Sequence, residues 1–364
     1  MQIRLKILHI INSLTRGGAE TLLVNSLTPG GLNEHADNYL VYFIKGDYLS
    51  SLVDKNVKQV CLNYKGGLDI IRLIRQLHKL IREHDFDIIH THLNPSDFYV
   101  NLVRPKKIPQ VHTVHIAYST DVDTRPINIF LERKLYFEKK FANLIFLSEF
   151  TQKDFLDTVK FKGRSFVLNN FIDDAFFIHQ PKQYHPSLQR NLKMVAVGNF
   201  RPQKNYLYLL EIFKQLKNYN ITLDIYGGGG NIEQCRQVIN EHGLNITLKG
   251  PVSNVNDVIA EYDVFIMPSS NEGFPLSVFE AMAAGVPVML SDIAPLTTIV
   301  KDNAIYFKLN EAEKAAMQIA AIYKGDTDMN NLSVKAKQYA EGMVRRKIYI
   351  DKLLKIYGQV LSGN

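Results

Sequence analysis

Two carboxylates set eight positions apart, Glu272 and Glu280, bracket the segment Glu-Gly-Phe-Pro-Leu-Ser-Val-Phe-Glu, which runs on as Ala-Met-Ala-Ala-Gly-Val-Pro. Pro275 suits the first position of a helix, where its missing N–H would be unpaired anyway. The amides of Leu276 and Ser277 are then expected to stand free at the positive helix end, a ready site for phosphate oxygens. Glu280 falls roughly 7–8 Å deeper at 1.5 Å per residue. One carboxylate can thus meet a group on one side of a diphosphate while the other accepts hydroxyl hydrogen bonds on the far side. That separation argues against one shared metal ion. A helix cap beside a surface glutamate is the plainer alternative.

Other segments carry compatible chemistry. Gly198-Asn199-Phe200-Arg201-Pro202-Gln203-Lys204-Asn205 follows an apolar strand and opens a helix. Its two cations suit a diphosphate whose leaving charge must be neutralised. Tyr226-Gly227-Gly228-Gly229-Gly230 permits close backbone approach to a ligand, or is simply a flexible turn. Thr15-Arg16-Gly17-Gly18-Ala19-Glu20 opens the first helix without the third glycine of a dinucleotide fingerprint, which disfavours a nicotinamide dehydrogenase. His90-Thr91-His92 and His112-Thr113-Val114-His115 end two successive strands, which places His92 and His115 where ligands bind in parallel sheets.

These groups need a scaffold, and the hydrophobic pattern supplies one. Apolar runs at Lys6–Ile11, Tyr39–Ile44, Lys58–Leu62, Asp87–His90, Gln110–His115, Leu144–Leu147 and Ser165–Leu168 read as strands. A second series follows at Leu192–Val197, Thr222–Tyr226, Asn245–Leu248, Asp263–Pro268, Val286–Leu290 and Ala304–Phe307. Amphipathic segments alternate with them; in the clearest, Leu68–His84, residues Ile70, Ile71, Ile74, Leu77 and Ile81 form the apolar face. The polar, proline-bearing stretch around Gln180–Ser187 breaks the pattern. The expected architecture is α/β, with two doubly wound Rossmann-like domains facing across a central cleft. Domain one spans 1–172, a linker 173–191 and domain two 192–345, with a helix at 346–364 that crosses back to the first domain.

The chain has 364 residues, 46% hydrophobic and 22% charged, a balance typical of folded domains. No apolar run approaches the roughly 18–20 residues of a membrane span. Cys61 and Cys235 have neither disulfide-framework nor metal-site spacing, which fits a cytoplasmic setting. The net charge of +7 is concentrated in residues 1–190, with 25 basic and 19 acidic side chains, including Lys106–Lys107, Arg133–Lys134 and Lys139–Lys140. A positive half suits a phosphorylated substrate or anionic lipid headgroups, or is an ordinary solvated surface. Nucleic acid is disfavoured, because no aromatic–basic interleaving accompanies the charge.

Taken together, these segments resemble the retaining glycosyltransferases of family 4, with their two-domain GT-B fold. The resemblance spans nearly the whole chain and is most specific in Glu272–Glu280 and the following Ala-Met-Ala-Ala-Gly-Val-Pro. It implies a second domain that binds a nucleotide sugar, UDP- or GDP-linked, and a first that binds the acceptor. By that similarity Glu280 holds the ribose hydroxyls and Glu272 contacts the transferred sugar. Leu276, Ser277, Arg201 and Lys204 bind the diphosphate. Val252 meets the base near Gly227 and Gly229, Gly18 approaches the phosphates, and His115 touches the donor sugar. The chain departs from the family pattern where an arginine often follows the strand-ending glycine: here Asn199 stands there and Arg201 comes two residues later. The usual Asn-Gly-Ile-Asp is Asn170-Phe171-Ile172-Asp173.

The implied reaction is retaining sugar transfer with neither metal nor other cofactor. The acceptor is a lipid-linked or cell-surface polysaccharide intermediate, reached at the inner face of an anionic membrane through the basic first domain. A sugar-nucleotide epimerase and a non-catalytic scaffold on the same fold are the alternatives.

Overall fold

The computed structural model describes residues 4–15, 17–46, 48–115, 142–184, 191–252 and 254–363. Arg16 and the basic pairs Arg133–Lys134 and Lys139–Lys140 lie outside them. The chain forms two units, one of residues 1–171 with 346–364 and the other of residues 172–345.

In the first unit the β-branched runs become strands β1 (Leu5–Ile11), β2 (Ala36–Tyr42), β3 (Lys58–Cys61), β4 (Ile88–His92), β5 (Gln110–Val114), β6 (Asn143–Phe146) and β7 (Arg164–Val167). They form one parallel sheet in the order β3-β2-β1-β4-β5-β6-β7. Side chains alternate across it. Ile7 and Ile11 pack with Leu22 and Leu23 of the helix Gly18–Ser26 on one face. Leu8 and Ile10 pack with Leu73, Leu77 and Ile81 of the helix Ile70–Glu83 on the other. Ile71 departs from the expected apolar stripe. The buried set is Leu73, Leu77 and Ile81, and Ile71 points outward at 55% exposure because it sits about 120° from their mean direction.

The last helix, Arg346–Ser362, belongs to this unit and contributes Tyr349, Leu353 and Tyr357 to the core of Ile7 and Ile11. Arg346 donates to Thr28 Oγ1 at 2.8 Å, which ties the start of that helix to the loop after the first one.

The second unit repeats the plan with β8 (Leu192–Val197), β9 (Ile221–Tyr226), β10 (Ile246–Gly250), β11 (Val264–Met267), β12 (Val288–Ser291) and β13 (Ile305–Phe307). Its parallel order is β10-β9-β8-β11-β12-β13. In both sheets the winding direction reverses between two central strands, β1 and β4 or β8 and β11. Ligands of open α/β sheets bind outside the carboxyl ends at such a reversal. Among the described residues no helix is long and apolar enough to cross a membrane.

Candidate active site

The two loops at the second unit's reversal meet through one ion pair. Lys204 ends the short 3-10 turn Pro202–Lys204 after β8, and Glu272 lies in the loop after β11. Lys204 Nζ donates to Glu272 Oε1 at 2.8 Å, with the side chains only 19% and 10% exposed. The Ser270 amide donates to the Gln203 carbonyl at 2.8 Å, so the same loops are also tied by backbone. Tyr206 donates to the Gly198 carbonyl at 3.0 Å and closes the turn from beneath. Arg201 is exposed, and its guanidinium has no partner among the described residues.

Glycines bring a third loop against these two. A Cβ on Gly227 would lie 1.9 Å from the Gly198 carbonyl oxygen, and one on Gly230 would lie 1.5 Å from that of Phe200. Gly227 and Gly230 are therefore required by packing of backbone on backbone. Gly229 differs: it has a left-handed φ of +76° and open space where a Cβ would stand. That leaves Gly229 the member of the run with room beside it. Gly228 faces the ring of Pro251, which brings the Val252 loop alongside.

The helix after Glu272 is Leu276–Ala283, with Pro275 at its N-cap, one position earlier than expected. This shift corrects the reading of its amides. Leu276 N–H is not free but donates to the Phe274 carbonyl at 3.1 Å, because the chain bends sharply before the helix. Val278 and Phe279 both donate to the Pro275 carbonyl. Ser277 N–H has no partner among the described residues and is the amide left for an anion. Phe274 stacks on Phe279 with ring centroids 5.0 Å apart and anchors the bend.

Burial pushes the Glu280 carboxyl up to about 7; Lys204 opposes the shift and Asp173 adds to it. Asp173 ends the altered Asn-Phe-Ile-Asp run, and its side chain also caps the following turn by accepting from Ala175 N–H at 2.9 Å. Its electrostatic influence on Glu280 comes from over 100 residues away in sequence, so no local pattern reveals it.

In the first unit, Gly18 starts its helix with nothing within 4 Å of where a Cβ would lie. His115 directly follows β5, and its Nε2 is buried without a partner among the described residues. Burial drives its pKa down to about 3, which keeps the ring neutral. His92 lies beside it, ring centroids 5.8 Å apart, with both nitrogens unpartnered. Sequence reasoning missed two neighbours of this region: buried Asp97, with neither carboxylate oxygen paired among the described residues, and buried His9 on β1. An aspartate in a helix's first turn reads as an ordinary helix-start residue, and a histidine inside a strand gives no signal of its own.

Two reversing parallel sheets of this build, with their paired strand-end loops, define the GT-B class of two-domain α/β proteins. Family models agree: one described as "Glycosyltransferase Family 4" matches residues 7–176, and one described as "Glycosyl transferases group 1" matches 181–341. The chain is 26% identical over 332 residues to the UDP-Gal:alpha-D-GlcNAc-diphosphoundecaprenol alpha-1,3-galactosyltransferase of Escherichia coli, covering 84% of each. It is 23% identical to the capsular polysaccharide biosynthesis glycosyltransferase CapH of Staphylococcus aureus, over 84% of this chain and 87% of that one. A solved glycosyltransferase from Rickettsia africae superposes with a TM-score of 0.82 at 17% identity, covering 99% of this chain and 100% of the other. Anabaena Alr3699/HepE, solved in complex with UDP, gives 0.79 at 17% identity, covering 98% and 100%. The chain belongs to the GT-B glycosyltransferases of the family 4 type.

Proposed function

We propose that the protein transfers a sugar from a UDP- or GDP-linked donor to a lipid-linked or cell-surface polysaccharide intermediate, with retention at the anomeric carbon. One observation carries the reading: a largely buried ion pair joins Lys204 to Glu272, which lies in the loop before a helix whose Ser277 amide is unpaired among the described residues. In this assignment Lys204, Arg201, Ser277 N–H and the positive helix end receive the diphosphate as its charge develops. Glu272 contacts the sugar, Glu280 the ribose hydroxyls, the Val252 loop with Gly229 the base, and neutral His115 the donor sugar. The bond from the anomeric carbon to the diphosphate oxygen breaks, and its electron pair leaves on the phosphate. The acceptor hydroxyl attacks from the same face, and its proton passes to the departing phosphate oxygen. Cations and amides suffice for that charge, so turnover needs no metal. The E. coli and S. aureus relatives, whose names place them on a UDP-galactose donor and in capsule synthesis, support the donor and acceptor classes.

The test is incubation of the protein in EDTA with UDP-, GDP-, ADP- and dTDP-sugars, followed by thermal shift and release of nucleoside diphosphate. One nucleotide should stand out; at 100 times its dissociation constant it stabilises by about 2.7 kcal/mol. Silence from every donor sinks the reading, and conversion of a donor without acceptor replaces it with epimerisation. Salt-sensitive binding to anionic liposomes is expected of the basic first unit, and no binding at low ionic strength removes the membrane from the proposal.

A further inference from the structure

Three imidazoles from the first unit's reversal pair gather inside its sheet. His9 on β1 is registered directly opposite His90 on β4, and His92 lies two residues on, on the same face. All three are buried, at 1%, 0% and 2% exposure. One nitrogen from each lies within 4.8 Å of the others. The rings of His90 and His92 are 4.1 Å apart, and His9 is 5.6 Å and 5.9 Å from them.

Hydrogen bonding leaves two of the three rings with an unpartnered nitrogen among the described residues. Asn38 donates through Nδ2 to Asn33 Oδ1 and to the Ala36 carbonyl, which fixes its amide orientation. Its Oδ1 must then accept from His9 Nε2, at 3.1 Å, so His9 Nδ1 carries a lone pair. That nitrogen has no partner among the described residues, nor has either nitrogen of His92. A ligating histidine typically donates its other N–H to a carbonyl or carboxylate, which is what His9 does here. His90 is bonded at both nitrogens, to Tyr357 OH and Thr113 Oγ1, each at 2.7 Å, and must exchange one hydroxyl for an ion. Buried Asp97, with both oxygens unpaired among the described residues, lies on the helix after β4 in the same unit.

We propose that His9, His90 and His92 form a binding site for a divalent transition metal of the zinc or cobalt class, structural in role and separate from the diphosphate residues. Three imidazoles without thiolate suit such ions and disfavour magnesium or calcium. Nitrogens within 4.8 Å of one another lie at most about 2.8 Å from a common centre, so no ring need close by more than roughly 0.7 Å to reach a zinc–nitrogen bond.

The test uses the full chain, stripped with EDTA, dialysed and titrated with Co2+ alone. One equivalent should bind, with the visible d–d absorption of a nitrogen-ligated site, and Zn2+ should displace it. His9→Gln and His92→Gln should each weaken binding tenfold or more, and Asn38→Ala by about 10–100-fold through loss of the orienting bond. His242→Gln, at an exposed position, should leave it unchanged. If the buried variants fail to fold, zinc X-ray absorption on the unaltered protein decides by counting imidazole ligands. No saturable cobalt binding, binding undiminished in both variants, or an oxygen-only shell overturns the proposal.

Discussion

The two reversal points are built alike and provisioned oppositely. At β8 and β11 the polar groups stand on loops and find each other, as Lys204 finds Glu272 and Ser270 N–H finds the Gln203 carbonyl. At β1 and β4 they lie on the strands themselves, buried, and several have no partner among the described residues. A polar group that finds its partner across two loops recovers much of its desolvation cost, whereas a buried imidazole nitrogen without a partner does not. The same topology thus carries paired polar groups on loops in one unit and a polar interior fixed in the sheet in the other.

The largest effect should come from breaking the paired loops. Lys204→Ala and Glu272→Gln are each expected to lower turnover by roughly 10²–10³-fold, the usual loss for one preorganised stabilising contact. Steady-state kinetics on the identified donor reads this directly, and near-normal turnover in both removes the site assignment.

Next comes the loop packing that holds those groups. Gly230→Ala drives a Cβ into the Phe200 carbonyl and should destabilise by about 3 kcal/mol in urea unfolding. Gly229→Ala meets only the left-handed backbone and should cost about 1 kcal/mol. Equal losses would show that the run is a uniform flexible turn rather than a packed one.

Glu280 makes the contrast depend on pH. Its carboxyl titrates at about 7 in the fold and near 4.5 when unfolded, so the folded state holds more protons between those values. Stability from this group therefore falls as pH rises from about 4.5 to about 7, and is level above. Glu280→Gln should match the parent at pH 4 and exceed it at pH 8 by about 1–3 kcal/mol. Because ribose hydroxyls donate to a carboxylate, nucleoside diphosphate affinity should rise through the same upper range in the parent and fall in Glu280→Ala. Calorimetric titration at pH 6 and 8 checks both; a pH-independent affinity would place Glu280 outside the nucleotide site.

The smallest effect belongs to the fixed side. Tyr357→Phe removes the hydroxyl from His90 Nδ1 and should cost about 1–2 kcal/mol by leaving a buried nitrogen unpaired. No loss would mean that His90 readily finds another partner, and the contrast between the two strand pairs would weaken.

Much of this was legible because it is local. Short apolar runs marked all thirteen described strands, each to within three residues, and the Glu272–Glu280 segment carried its loop and both carboxylates in one stretch. The bend that consumes the Leu276 amide was not legible, since it depends on how Phe274 stacks on Phe279. Nor was the purpose of Gly227 and Gly230, whose constraint comes from carbonyls some 30 residues earlier. The His9–Asn38 bond, which selects one tautomer, joins two strands that the sequence separates by 29 positions.

The helix Arg346–Ser362 is made after the second unit but belongs to the first. During synthesis the core of Ile7, Ile11 and Tyr42 stays incomplete, without Tyr349, Leu353 and Tyr357, until residues 172–345 have been made. The second unit is continuous and can close as soon as it emerges. The later-translated half therefore has the means to fold ahead of the earlier one, and a chain stopped at Arg345 would hold a finished second unit beside an open first.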